Sequence, residues 1–336
     1  MVVSSVLEET MNNEMNPLMP FIVRQGFLLL DGGLATELER RGHDLNDPLW
    51  SARLLADMPH AIAQLHEDYL QAGADCLITA SYQGTIAGFR RRGFSQKEAL
   101  ALLRRAVELA VTTRDRFWSR AENQRGRLRP LVAASIGPYG AYLANGAEYT
   151  GDYDVDEAGL VAFHQERWSV LAQSGADLMA CETIPSAVEA RALAQVIPTT
   201  PTMPVWVSFS CRDGEHICDG TLLTEAVRPL LLLLQVVALG VNCTAPSAIP
   251  SLIAHLKAVT TKPIVVYPNS GETYDAANRC WLGVTKADAF AAASLTWYQT
   301  GAQLIGGCCR TGPEHIQEMR AKLSKGKVAF PSAENR

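Results

Sequence analysis

The chain has 336 residues, 48% of them hydrophobic and 19% charged, with a formal net charge of −5. That composition sustains a large buried core and excludes a disordered chain. The lack of a dense basic stripe argues against a nucleic-acid partner, and the length admits one large α/β barrel or two smaller domains.

Residues 1–25 show no clear period and read as a loose N-terminal extension, partly disordered or packed on the outside of the following domain. Glu8, Glu9 and Glu14 stand where a signal peptide would carry a basic start and an apolar centre. The longest apolar stretch, Leu230 to Val241, is interrupted by Gln235 and is too short to span a bilayer, so no membrane partner is expected. Eight cysteines in a chain this long are not a secreted disulfide framework. The expected location is the reducing cytoplasm.

Eight apolar runs of strand length follow in order: Phe27–Asp31, Asp75–Ala80, Leu131–Ser135, Asp177–Cys181, Val205–Phe209, Val236–Val241, Ile264–Tyr267 and Gln303–Ile305. Most are nearly continuous in Leu, Ile, Val and Ala, the pattern of parallel strands buried on both faces. Helical periodicity fills the intervals at Pro59–Ala72, Lys97–Phe117, Asp156–Gln173, Pro185–Val196, Thr224–Leu234, Pro246–Ala258 and Ala287–Thr300, with Pro313–Leu323 after the last strand. Ala72-Gly73-Ala74-Asp75, Ser174-Gly175-Ala176-Asp177 and Thr300-Gly301-Ala302-Gln303 each close a helix and open a strand. The alternation predicts a single (β/α)8 TIM barrel over residues 26–325 and a short tail at 326–336. A doubly wound open sheet is the rival, weakened because no Gly-x-Gly-x-x-Gly follows the first strand.

In such a barrel the chemistry sits where the strands end. Cys243 ends strand six, and Cys308 and Cys309 end strand eight, so both groups open onto one mouth. Three thiols leave a tetrahedral zinc ion one open position, the arrangement of a catalytic site, and a sulfur-rich site suits a thiol substrate. The spacing is not that of a zinc finger, so the fold must bring these ligands together. Cys76, Cys181, Cys211, Cys218 and Cys280 read as small buried apolar residues. The histidines form no HExxH pattern.

Asp31 and Glu182, at the ends of strands one and four, suit either a loop hydrogen bond or the ammonium group of an amino acid. Ser81 and the backbone N–H groups after Gly32 could hold its carboxylate. The long segment after strand three carries Tyr139, Tyr142, Glu148 and Tyr149. It reads as a packed lid or as an aromatic cage for a cationic donor. Arg90-Arg91-Arg92 reads as a solvated face.

Taken together, Asp31-Gly32-Gly33 with Thr36 and Leu38, Gly240-Val241-Asn242-Cys243 and Gly306-Gly307-Cys308-Cys309 resemble the homocysteine S-methyltransferase family, from about Gly26 to Lys322. The resemblance implies one zinc ion per chain on Cys243, Cys308 and Cys309, and homocysteine contacts at Glu182 and around Asp31. Asn242 and Asn269 would then support the site. Ser135–Ala141, Glu148–Tyr153 and Tyr267–Glu272 look like the branch that uses S-methylmethionine, with S-adenosylmethionine as a poorer donor. Methionine would be the product, and a monomer is the favoured state. A betaine donor, a selenocysteine acceptor, and a non-catalytic zinc or redox-sensing role for the vicinal cysteines are the alternatives.

Overall fold

A computed structural model describes residues 16–326, apart from 46, 48, 272, 276–279 and 283–285. Most of the N-terminal extension, most of the C-terminal tail and Glu272 therefore lie outside the described residues.

All eight expected runs form strands of one parallel sheet: β1 (Leu28–Leu29), β2 (Cys76–Ile78), β3 (Leu131–Ile136), β4 (Leu178–Ile184), β5 (Val205–Phe209), β6 (Val236–Asn242), β7 (Ile264–Tyr267) and, after a two-stranded insertion, β10 (Leu304–Ile305). Neighbours run in the order β1-β10-β7-β6-β5-β4-β3-β2. A parallel bridge between Leu30 and Cys76 joins β1 to β2 and closes the barrel. Every residue of β3, β4 and β6 is buried, which is why these strands read as unbroken apolar runs. The protein is a (β/α)8 TIM barrel.

Two apolar clusters hold it. The larger lies between the strands and the surrounding helices, and includes Ile62, Leu65, Leu103, Val107, Leu193 and Leu252. The smaller fills the interior with Leu28, Leu30, Leu131, Leu178, Trp206 and Val265.

Three segments differ from the sequence expectation. Residues Met19–Gln25 form a short helix ended by Gly26 in the left-handed conformation. Its Phe21 and the preceding Leu18 belong to the interior cluster with Leu131 and Leu178 at the starts of their strands. The helix therefore plugs the end of the barrel opposite the strand termini instead of lying on the outside. Two helical turns are too few to show a period. Second, Thr224–Leu234 is not one helix but Leu223–Ala226 followed by a 3₁₀ turn at Arg228–Leu230. Pro229 removes an N–H and disfavours helical geometry at the residue before it, and Leu232 is left 92% exposed. Third, an antiparallel pair, β8 (Thr273–Asp275) and β9 (Cys280–Leu282), is inserted after β7.

Candidate active site

The three thiols meet at the C-terminal mouth. Cys243 follows β6 in a left-handed conformation, φ 50°, and its N–H donates to the Tyr267 carbonyl at 3.2 Å. The Cys308 N–H donates to the Pro268 carbonyl at 2.8 Å, and the Cys309 N–H donates to Asn269 Oδ1 at 3.2 Å. The Gly307 N–H donates to the Asp31 carbonyl at 3.2 Å, and the Gly33 N–H to the Thr311 carbonyl at 2.9 Å. The segments after β1, β7 and β10 are thus tied together around the vicinal cysteines. All three sulfurs lie within 4.8 Å of one another, with Cys243 Sγ and Cys309 Sγ 3.8 Å apart.

Their electrostatics ask for a cation. Hydrogen bonds from Cys308 and Cys309 hold the Cys243 thiol well below its ordinary range. The same contacts with Cys243, its charge and burial push Cys308 and Cys309 well above theirs. One thiolate forms readily, whereas all three need a compensating positive charge. Three soft sulfurs in one cluster fit a single zinc ion with one position open to a further ligand.

Two buried carboxylates line the mouth. Asp31 Oδ2 accepts the Ile78 N–H at 2.8 Å, while Oδ1 is buried without a partner among the described residues. Burial, reinforced by the charge of Glu182, raises its carboxyl well above the usual range against the Ile78 hydrogen bond. Burial likewise pushes Glu182 up to about 7, against hydrogen bonds from Ser135 and Tyr267 and with the charge of Cys243. A cation arriving beside such desolvated acids favours their ionised form. An ammonium group is such a cation.

Asn242 braces the neighbouring wall. Its Oδ1 accepts the Thr183 N–H at 2.7 Å and the Ser208 hydroxyl at 2.8 Å, and its Nδ2 donates to Thr183 Oγ1 at 2.7 Å. These bonds hold Thr183, the residue after Glu182, at φ 61°, a conformation uncommon for a β-branched side chain. The Asn269 side chain also helps to lower the Cys243 thiol. Among the described residues nothing accepts from the Gly32 N–H, which leaves it available to a carboxylate.

The segment after β3 divides into two parts. Tyr149 Oη stands 3.5 Å from Cys243 Sγ. Glu148 Oε2 is buried without a partner among the described residues, and burial raises its carboxyl. Tyr139 and Tyr142 are directed elsewhere. Both pack on Phe163, with ring centroids 4.9 and 5.5 Å away, and Tyr142 carries the Arg91 guanidinium over its face at 4.5 Å. They anchor the segment, and their ring contacts among the described residues are with one another, Tyr153, Phe163 and Arg91. Nor does Ser81 offer the donor expected of it: its single hydroxyl hydrogen goes to the Ser135 carbonyl at 2.7 Å.

Two residues escaped the sequence reading. The Tyr82 phenol hydrogen-bonds Thr183 and lies in the field of Glu148 and Cys243. The Tyr267 phenol lies in the field of Glu182, takes a hydrogen bond from Trp206 at 3.1 Å and stands 2.6 Å from the Ser208 hydroxyl. The position of Tyr82 just past the end of strand two was the available signal. Tyr267 opens a motif marked by the family resemblance, but nothing in its strand pattern gives it a role of its own.

A closed parallel barrel with three thiols and buried acids at its mouth defines a (β/α)8 metalloenzyme that handles a thiol or another soft ligand. The chain belongs to the homocysteine S-methyltransferase family, which matches residues 28–323. It is 50% identical over 307 residues to the homocysteine S-methyltransferase YbgG of Bacillus subtilis, covering 91% of this chain and 98% of that one. It is 45% identical to a selenocysteine methyltransferase of Astragalus bisulcatus, over 91% of this chain and 95% of that one. The metallated crystal form of the Escherichia coli homocysteine methyltransferase MmuM superposes with a TM-score of 0.82 at 45% identity, over 91% of this chain and all of that one.

Proposed function

We propose that the enzyme transfers a methyl group from S-methylmethionine, or less well S-adenosylmethionine, to the thiol of L-homocysteine, giving methionine. The observation that carries this reading is the placement of two buried acids, Asp31 and Glu148, each with one carboxylate oxygen unpartnered among the described residues, at a mouth that also holds three convergent thiols. One side suits an amino-acid thiol and the other a cationic donor.

Cys243, Cys308 and Cys309 hold one zinc ion. When bound, zinc supplies the positive charge that keeps a substrate thiol deprotonated at neutral pH. Asp31 and Glu182 receive the homocysteine ammonium, and the Gly32 N–H faces its carboxylate. Asn242 fixes Thr183 beside Glu182, and Asn269 fixes the backbone of Cys309. Glu148, Tyr149 and Tyr82 line the donor side, where carboxylate and aromatic faces attract a sulfonium. Tyr139 and Tyr142 act there only through the segment that they anchor.

In the transfer, the homocysteine sulfur forms a bond to the methyl carbon as the bond from that carbon to the sulfonium sulfur breaks. The bonding pair stays on the departing sulfur, which becomes a neutral thioether. With S-methylmethionine both products are methionine. The thiol proton leaves when homocysteine binds, so the transfer itself needs no base. What the protein supplies is alignment of the two sulfurs and the carbon.

A selenol acceptor is the second reading, favoured by the identity with the selenocysteine enzyme. A cytoplasmic location fits this activity, and the cysteines whose side chains are described form no disulfide with one another. Among the described residues no helix is long and apolar enough to cross a membrane.

The test is a panel of S-methylmethionine, S-adenosylmethionine and betaine, each with homocysteine or selenocysteine, on protein of measured zinc content, beside Cys308→Ser. Methionine formed from betaine alone would overturn the donor assignment. Full activity in Cys308→Ser would overturn the metal assignment.

A further inference from the structure

One buried carboxylate remote from the thiols gathers both ends of the segment that faces the donor. Glu189 lies in the first turn of the helix Ala187–Val196, after the N-cap Ser186, and is fully buried. Ser-x-x-Glu at this place is the sequence of a capping box, in which the Glu carboxylate turns back to the N-cap N–H. Here only half of that box forms. Ser186 Oγ accepts the Glu189 N–H at 3.3 Å, and the carboxylate is used elsewhere. Its Oε1 accepts the Tyr139 N–H at 2.6 Å, where the segment begins, and its Oε2 accepts the Tyr153 hydroxyl at 2.9 Å, where it ends.

The third partner of Glu189 is His164, on the helix Glu157–Leu171, with Nε2 2.8 Å from Oε1. Arg167 Nη2 lies 3.1 Å from His164 Nδ1. A guanidinium can only donate, so Nδ1 accepts and Nε2 carries the proton that it gives to Glu189. Burial lowers the His164 pKa and keeps the ring neutral. Arg167, only 2% exposed, also donates to the Gly137 carbonyl. The positive charge of Arg167 thus reaches Glu189 through a polarised imidazole. Glu189 and Arg167 grip residues 137–153 at Tyr139, Tyr153 and Gly137, His164 links the two, and the tip of that segment places Tyr149 against Cys243.

We propose that Glu189 is a positioning residue for the donor: it sets the height of Glu148 and Tyr149 over the metal site without touching either substrate. The inference rests on the reading that Glu148 and Tyr149 face the donor. It assigns a role in methyl-donor affinity to a helix-start carboxylate whose sequence suggests only a cap.

The experiment compares Glu189→Gln, Tyr153→Phe and Glu148→Gln. In Glu189→Gln one carboxylate oxygen becomes an amide NH₂, which cannot accept. Misplacing the segment should raise KM for S-methylmethionine about tenfold. KM for homocysteine should stay within about twofold and zinc per chain should not change. Amide hydrogen exchange should quicken in peptides from 139–153 and not in the barrel strands. Tyr153→Phe keeps the ring in its aromatic cluster and removes one hydrogen bond, so it should fold and shift the same quantities less. It carries the test if Glu189→Gln does not fold. Equal rises in both KM values, or unchanged exchange in the segment in both variants, would overturn the proposal. Glu148→Gln with an unaltered donor KM would overturn the donor reading, and the exchange result would still decide whether Glu189 holds the segment.

Discussion

Gly33 lies so close to Cys308 that a Cβ on Gly33 would stand 2.4 Å from the Cys308 carbonyl oxygen. Gly33 has φ −70°, which any residue adopts, so space and not conformation requires glycine. The loop after β1 thereby sets the seat of a cysteine in the loop after β10. Gly33→Ala should push Cys308 out of register with Cys243 and Cys309. Loss of this support is expected to weaken zinc binding about 10- to 100-fold, as losses of outer-shell support do. Metal content after dialysis against a graded chelator series checks it. Undiminished zinc retention would mean that the loop adapts.

Glu182 links pH to stability in the metal-free, substrate-free protein. Its carboxyl is raised from 4.5 to about 7, with burial as the largest cause. Below the unfolded value both states are protonated and the group costs nothing. As pH rises toward 7 the unfolded chain releases the proton first and the folded state is penalised. Above 7 the full penalty stands, on the order of 3 kcal/mol. Glu182→Gln removes this term. It should leave relative stability unchanged near pH 4 and raise it increasingly up to pH 8, while weakening homocysteine binding. Urea unfolding of both proteins across that range decides, and a pH-independent difference would rule the linkage out.

The barrel was legible because its strands are buried on both faces, so runs such as Val236–Val241 stand out without any knowledge of their partners. The thiols were legible because fold class alone says that Cys243 and Cys308-Cys309 share a mouth. What stayed hidden depends on distances across the chain. Tyr139, Tyr142 and Tyr149 look alike in sequence, yet only Tyr149 reaches the metal site. The hydroxyl of Ser81 is an available donor on paper and is committed to Ser135 in the fold. The helix Met19–Gln25 has two turns, too few for its plugging role to show as a period.

That division among the tyrosines has consequences that can be separated. Tyr149→Phe removes the hydroxyl 3.5 Å from Cys243 Sγ and should lower turnover a few-fold at unchanged thermal stability. Tyr142→Ala strips the platform beneath Arg91 and Phe163 and should lower stability by about 1–3 kcal/mol. Thermal melts and initial rates on the two variants test the assignment. A large turnover loss in stable Tyr142→Phe would return Tyr142 to the donor cage.

Asn242→Ala tests whether the bracing of Thr183 serves the acid next to it. The substitution strips three hydrogen bonds from one buried position, two of them to Thr183 and one to Ser208. Each buried group left unpaired costs about 1–3 kcal/mol, and Thr183 would also lose what holds it at a positive φ. The backbone there is free to relax toward ordinary strand geometry, which turns Glu182 away from the mouth. Homocysteine KM should rise more than donor KM, and the protein should lose stability of the order of a few kcal/mol. Asn242→Asp keeps the acceptor for the Thr183 N–H and the Ser208 hydroxyl and gives up only the Nδ2 donor. It should therefore recover the Thr183 conformation in part, at the cost of a further carboxylate beside the residue that follows Glu182. If Asn242→Ala leaves homocysteine KM untouched while stability falls, the bracing serves the fold and not the site.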